Sequence, residues 1–303
     1  MSKNVLALDL GGSKFIVGIV DEEGNVLAKE RFLWKELTKE AVMDSILEAV
    51  KSFRETHNEE CVAIGVTIPG LADPEKGIWI EASFSMIRNL PIAELLTKEF
   101  GLPTFVDNDV NACAIAEKRF GCCKDTRDFA WITVSNGIGG ALYLNNDIYY
   151  GAFGNAGEIG HFTVVENGRA CNCGSSGCLE MHAAGPAILK NYEEMTGESK
   201  TAAELAEMAK SGDKNALAVF ELEGKYLGMA VAAIANIMNP KKVVFGGGVM
   251  ESFDLIEASM KESYKKNVYF YANRALEIEH TGLGYYAALL GAAAVAFRRI
   301  ERE

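Results

Sequence analysis

The sequence predicts an α/β protein made of two domains of the same topology facing one another. Two observations carry this expectation. "VLALDLGGSKFIVGIVDEEGNVLA" (5–28) runs as apolar strand, glycine turn, apolar strand, polar turn and third strand, and "AWITVSNGIGGALYLNNDIYYG" (130–151) repeats that order with its glycines at the same place. Elsewhere strand patterns alternate with helical ones, as in a sheet covered on its faces.

Each element has a local reason. "VLALDL" is an apolar run of buried-strand length, "GGSK" breaks it, "FIVGIV" resumes it, and "DEEGN" carries turn chemistry before "VLAKERF". From Thr38 to Phe53, Ala41, Val42, Ser45, Ile46, Ala49, Val50 and Phe53 recur at helical spacing, with Thr38 as N-cap. "CVAIGVTIPG" is a buried strand ending in a Pro-Gly turn. Later, "NALAVFELEGKYLGMAVAAIANIMN" reads as a long helix, "PKKVVFGGGV" as a strand running into three glycines, and "GYYAALLGAAAVAFRRI" as an Ala-rich helix whose basic end suits its C-terminal dipole. With six prolines and no Gly/Ser linker, the domain boundary is expected to be a tight hinge near residues 112–120.

The 303 residues suffice for two ordinary domains, and 49% apolar with 24% charged residues is a globular composition. No apolar run approaches the ~20 residues that span a bilayer, and the start lacks the h-region of a secretory signal, so no membrane partner and a cytoplasmic location are expected. A net charge of −12 argues against a nucleic-acid partner, which requires a basic face. Of the seven cysteines, Cys61, Cys113, Cys122 and Cys123 read as small core or surface residues.

Three glycine turns, "DLGGSK", "SNGIGG" and "FGGGV", each follow a strand pattern, and glycine lets backbone N–H groups converge on a phosphate chain. None matches a P-loop or a complete dinucleotide fingerprint. Asp9 sits at the mouth of the first turn inside an apolar strand, where a carboxylate either orients hydrated Mg²⁺ or caps the turn. "FVDNDVNACAIAE" (105–117) gathers Asp107, Asn108, Asp109 and Asn111 where a strand gives way to a helix. Such amides and carboxylates suit sugar hydroxyls, and either Asp107 or Asp109 is expected to cap the helix. Glu158 and His161 follow in "GNAGEIGH". His161, Cys171, Cys173 and Cys178 then offer one nitrogen and three sulfurs, a tetrahedral set suited to Zn²⁺, although H-x9-C-x-C-x4-C is not a finger pattern.

Over nearly the whole chain these motifs resemble the ROK family of repressors, open reading frames and sugar kinases: "LALDLGGSK", "IPGLAD", "VDNDVNACAIAE", "GIGGALYLNN", "GNAGEIGH", "CNCGSSGCLE" and "VVFGGGV" stand in the family's order. The resemblance implies a two-lobed actin-like ATPase (ribonuclease H-like) fold, duplicated β-β-β-α-β-α domains with a cleft between them. It places a small domain at 1–115, completed by a C-terminal helix at 289–303, and a larger domain at 116–288 carrying a zinc loop at 161–180. It also implies transfer of the γ-phosphoryl group of ATP to a hydroxyl, usually the 6-hydroxyl, of a hexose or N-acetylhexosamine. Asp109 matches the general base, and Asn108, Glu158, His161 and Glu180 match residues that bind the other hydroxyls. Gly11, Gly12 and Ser13, Gly137 and Gly139, and Gly246, Gly247 and Gly248 match the nucleotide side, with Lys14 either near the phosphates or solvated. The zinc is implied to be structural, fixing the His161 ring and the backbone before Glu180. Family members are commonly dimers, so a homodimer is implied.

Two positions depart from the family's pattern. "ASFSM" puts Ser83 where a sugar-contacting asparagine is usual, and Asn136 replaces a threonine in the second glycine turn. Ser83 is shorter and bears on which sugar is preferred. A repressor of the same family would carry a helix-turn-helix before a core that here begins by residue 4. A catalytically weak sugar-binding regulatory protein is the alternative to the kinase.

Overall fold

The structure, a computed structural model, describes residues 3–82, 85–269, 273 and 275–302. Two compact units organise the chain: residues 1–125, 150–155 and 282–303 form the first, and 126–149 with 156–281 the second.

In the first unit the chain runs β1 (Asn4–Leu10), β2 (Lys14–Asp21), β3 (Val26–Leu33), α1 (Lys39–Thr56) and β4 (Ala63–Ile68). A small antiparallel sheet follows, β5 (Leu71–Asp73), β6 (Ile78–Glu81) and β7 (Arg88–Leu90), and then α2 (Ile92–Phe100), β8 (Thr104–Asn108) and α3 (Asp109–Arg119). The main sheet has the order β3-β2-β1-β4-β8, with β1, β2 and β3 antiparallel and β4 and β8 parallel to β1. β4 is buried along its whole length, as a strand covered on both faces must be, whereas the edge strand β3 alternates in burial.

Alternation along β4 assigns the two faces. Ile64, Val66 and Ile68 join the cluster that holds Val42, Ile46, Val50 and Phe53 of α1, an 18-residue helix capped by the Thr38 hydroxyl, which accepts from the Ala41 N–H. Gly65 points the other way, onto the final helix, numbered α9 below (Ala287–Ile300), where a Cβ would lie 1.9 Å from the Ala292 carbonyl oxygen. α9 is almost wholly buried and packs on β1, β4, β8 and α3.

The second unit repeats the plan: β9 (Phe129–Val134), β10 (Ile138–Leu144) and β11 (Asp147–Ile148) are antiparallel, β12 (Lys242–Gly246) and β13 (Glu277–His280) run parallel to β9, and the order is β11-β10-β9-β12-β13. Between β11 and β12 lie α4 (Leu179–Ala183), α5 (Gly185–Thr196), α6 (Ala202–Lys210) and α7 (Lys214–Met238), and α8 (Phe253–Asn267) follows β12. Asp213 caps α7 by accepting from Asn215 and Ala216, and Asn239 ends it in the left-handed region at φ 48°.

The boundary differs from the sequence expectation. A division at 115/116 falls inside α3, and a hinge at 112–120 spans α3 from residue 112 to its C-cap Phe120, although residues 111–117 are buried. α3 belongs with α9, so the chain leaves the first unit only after Asp125, returns at Tyr150–Asn155, and returns again at Gly282. No helix among the described residues is long and apolar enough to cross a membrane.

The close approach at Gly65 generates a direct test. Gly65→Ala must displace α9 or the strand, and we expect urea denaturation to show a loss of about 2 kcal/mol or more. An unchanged midpoint would contradict the packing described.

Candidate functional site

In the first unit the site is assembled at the ends of β1, β4 and β8. Parallel pairing sets Asp9 opposite Thr67, and the fully buried Thr67 hydroxyl donates to Asp9 Oδ1 at 3.1 Å. Burial pushes the Asp9 carboxyl above its ordinary pKa, with the Thr67 hydroxyl and the Lys14 charge opposing. The glycine turn beyond it is fixed by its backbone: the Gly11 N–H donates to the Lys14 carbonyl at 3.0 Å, and Trp34 Nε1 donates to the Gly11 carbonyl at 2.8 Å. Gly12 and Ser13 are exposed, and Lys14 Nζ donates to the Tyr285 hydroxyl at 2.8 Å.

The junction of β8 and α3 corrects the capping expectation. Asn108, not either aspartate, is the N-cap, its Oδ1 accepting from the N–H groups of Val110 at 2.9 Å and Asn111 at 3.2 Å. Asn108 Nδ2 in turn donates to Asp109 Oδ1 at 3.0 Å and to the Gly70 carbonyl at 3.0 Å. Asp109 is half-buried, and its pKa is raised to about 7, first by burial and then by the like charge of Asp9. Asp107 is 1% exposed and accepts from the Tyr150 hydroxyl at 2.5 Å, the Asn108 N–H at 2.8 Å and Asn111 Nδ2 at 3.3 Å. Burial still raises it to about 6.

The second unit holds the other two glycine turns. Asn136 is exposed at the tip of the turn between β9 and β10, where the Ser135 N–H donates to the Gly137 carbonyl at 2.9 Å. Glu180, half-buried in the first turn of α4, accepts the Ile138 N–H on Oε2 at 2.9 Å and so ties this turn, with Gly137 and Gly139, to the cysteine loop. After β12, Gly246 is buried, Gly247 takes φ 94°, and Gly247 and Gly248 are exposed.

The loop at 161–180 is a backbone knot. Thr163 bridges Cys178 and Ala170 bridges Ser176, while the N–H of Leu179 donates to the Phe162 carbonyl at 2.8 Å. This brings the ligand atoms of His161, Cys171, Cys173 and Cys178 within 4.8 Å of one another. His161 Nδ1 lies 3.6 Å from Cys171 Sγ, and Cys173 Sγ lies 3.6 Å from Cys178 Sγ. Tetrahedral ligands at ~2.3 Å from an ion stand about 3.8 Å apart, so the donor set and these two separations suit a metal. All three cysteines are free thiols. Because Nδ1 faces the thiols, Nε2 is the outward nitrogen, 3.8 Å from Glu158 Oε2, and Glu158 is exposed.

Among the described residues, Asp9, the Gly11–Lys14 turn, Asn108 and Asp109 stand in the first unit, and Asn136, Gly137, Gly139, Glu158, His161, the three loop cysteines, Glu180 and Gly246–Gly248 in the second. Ser83 lies outside the described residues. Four supporting residues escaped the sequence reading. Thr67 and Trp34 act across strand register and through the fold; Arg169 and His182 anchor the loop. The Arg169 N–H donates to His182 Nε2 at 3.2 Å, and its guanidinium reaches the Met181 carbonyl, Asn191 and Glu194. A lone arginine inside a polar loop carries no periodic signal.

The model of the ROK family matches residues 5–299. A glucokinase of Streptomyces coelicolor is 31% identical over 96% of this chain and 96% of its own length. The xylose repressor of Bacillus subtilis is 32% identical over 94% of this chain and 74% of the repressor. Among solved structures, a ROK family glucokinase from Streptomyces griseus, in complex with glucose and AMPPNP, superposes with a TM-score of 0.83 at 29% identity, covering 98% of this chain and all of that one.

The raised carboxyls make stability depend on pH. Asp107 at about 6 and Asp109 at about 7 hold protons that the unfolded chain releases near pH ~3.9, so their contribution to stability is fully present below that pH and is lost as the pH rises through 7. We expect Asp109→Asn to be more stable than wild type at pH ~8 by on the order of 2 kcal/mol, the difference vanishing near pH ~4. Parallel denaturation profiles across that range would refute the assignment.

Proposed function

Because the chain belongs to the ROK family, we propose that it is a sugar kinase moving the γ-phosphoryl group of ATP to the 6-hydroxyl of a hexose or N-acetylhexosamine. The observation that carries the reading is Asp109: a carboxyl with a pKa of about 7, positioned by Asn108, with the acid Asp9 close enough to raise it. A general base is most effective when its pKa lies near the working pH.

In this reaction the sugar oxygen attacks phosphorus, the bond to the β–γ bridging oxygen breaks, ADP departs, and the hydroxyl proton passes to Asp109. Its Oδ1 accepts from Asn108 Nδ2 and the Val110 N–H, which assigns the proton to Oδ2. Asn108, Glu158, His161 and Glu180, with Ser83, hold the sugar's other hydroxyls. Glu180 retains Oε1 for this, since Oε2 takes the Ile138 N–H. The turns Gly11–Lys14, Asn136–Gly139 and Gly246–Gly248 supply N–H groups for the nucleotide. Mg²⁺, which prefers hard oxygen donors, would be held through its water by Asp9 and neutralises phosphate charge when bound. Zn²⁺ suits the one nitrogen and three sulfurs at His161, Cys171, Cys173 and Cys178, which would hold it and so keep the loop and the His161 ring in place.

A second reading, a sugar-binding regulatory protein of weak catalysis, is favoured by the likeness to the xylose repressor. ADP release with ATP-Mg²⁺ against glucose, mannose, fructose, N-acetylglucosamine and N-acetylmannosamine separates the two. Turnover that depends on one sugar supports the kinase; sugar binding without ADP release supports the regulator.

Two variants test the roles. Asp109→Asn should lower kcat by on the order of 10³ while calorimetry still registers the sugar, and wild-type kcat/KM should climb to a plateau above a pH of about 7. Cys173→Ser should lose bound zinc and sugar affinity together. Full sugar affinity in a zinc-free Cys173→Ser protein would remove the loop from the sugar site.

A further inference from the structure

α3, which begins at Asp109, ends in the turn "FGCCKD" (120–125), and this turn folds back on Glu117. Glu117 is completely buried, and its Oε2 accepts the Cys122 N–H at 2.9 Å while its carbonyl accepts the Cys123 N–H at 3.3 Å. Gly121 permits this approach, since a Cβ there would stand 1.9 Å from the same carboxylate oxygen. The turn thereby delivers two thiols to the carboxylate: Cys123, fully buried, and Cys122, exposed, with their sulfurs 4.0 Å apart. A carboxylate oxygen and both sulfurs all lie within 4.8 Å of one another.

A carboxylate that only locked the turn would need no sulfur beside it, and small apolar residues would fill positions 122 and 123 equally well. Two sulfurs sharing a tetrahedral ion at ~2.3 Å stand about 3.8 Å apart, close to the separation found here. Two sulfurs and one oxygen are a donor set for a thiophilic ion and not for magnesium or calcium. From this convergence we propose that Glu117, Cys122 and Cys123 form a second metal site, distinct from the cluster at His161. It takes a divalent thiophilic ion such as Zn²⁺ or Cd²⁺. Three protein donors leave a coordination position for solvent on the exposed side of Cys122, so this site binds more weakly than the four-donor cluster. The ion ties the turn from which the chain passes into the second unit, after Asp125, to the helix that carries Asp109 at its other end.

The test uses the full chain, reduced and stripped of metal, titrated with Cd²⁺ while the ultraviolet sulfur-to-cadmium charge-transfer band is followed. Wild type should take up two ions in succession. Cys173→Ser should keep the weaker uptake, and the Cys122→Ser/Cys123→Ser double variant should keep only the tighter. Glu117→Gln, which retains an acceptor for the Cys122 N–H, should weaken the second uptake at least about tenfold. If the buried Cys123→Ser change unfolds the chain, Cys122→Ser alone, at an exposed position, must still weaken it. The proposal is overturned if wild type takes up a single ion, or if Cys122→Ser titrates as wild type does.

Discussion

One side chain, Asn108, decides where β8 stops and α3 starts, and the chemistry of the first unit depends on that choice. A helix start leaves N–H groups without partners, and some oxygen must accept them. Had Asp107 or Asp109 served as the cap, its carboxylate would have been tied to the helix end and its charge stabilised there. With an amide oxygen taking both the Val110 and Asn111 N–H groups, Asp109 engages only Oδ1, with Asn108 Nδ2 and the Val110 N–H, and keeps Oδ2 for other work. Asp107, buried one residue earlier, is satisfied separately by Tyr150, Asn111 and backbone. The result is three acids, Asp9, Asp107 and Asp109, all pushed toward the neutral form by burial. Such raised acids cost native stability and are suited to accepting a proton, the role proposed above for Asp109.

The second unit solves a different problem, that of holding polar side chains on a loop with no regular secondary structure. Backbone bridges at Thr163–Cys178 and Ala170–Ser176 close the loop on itself, and Arg169 fastens it to α4 and α5. Glu180 then links the loop to the glycine turn through the Ile138 N–H, so a displacement of the cysteines would be felt where phosphate-binding N–H groups are expected. A metal on such a frame adds rigidity to contacts that already exist, which is the setting in which supporting shells are most effective.

Much of this was legible in residue order alone. The duplicated strand-turn-strand grammar appears as two sheets of identical strand order, and the Thr38 cap and the long apolar helices stand where the periodicity put them. What escaped the reading had a physical reason in each case. The sheet β5-β6-β7 is made of strands of three or four residues, too short to show a period. α2 follows Pro91 with no side-chain cap, so nothing marked its start. Asn108 and the two aspartates are all good caps, and only three-dimensional burial distinguishes them. Cys122 and Cys123 passed as filler because their partner, Glu117, is brought back to them by a turn rather than by helical spacing.

The placement of α9 bears on how the protein is made. Its fourteen residues, Ala287–Ile300, fill one face of the first sheet and pack on β1, β4, β8 and α3. A ribosome delivers the strands of that sheet before the second unit and the helix that covers them only after it. At roughly 5–20 residues per second, the nascent first unit waits on the order of ten seconds or more with an apolar face uncovered. The second unit, contiguous apart from one short excursion, can close meanwhile. The unit whose strands are made before the other is thus completed only after it, and during synthesis its open face is the one a chaperone would have to shield.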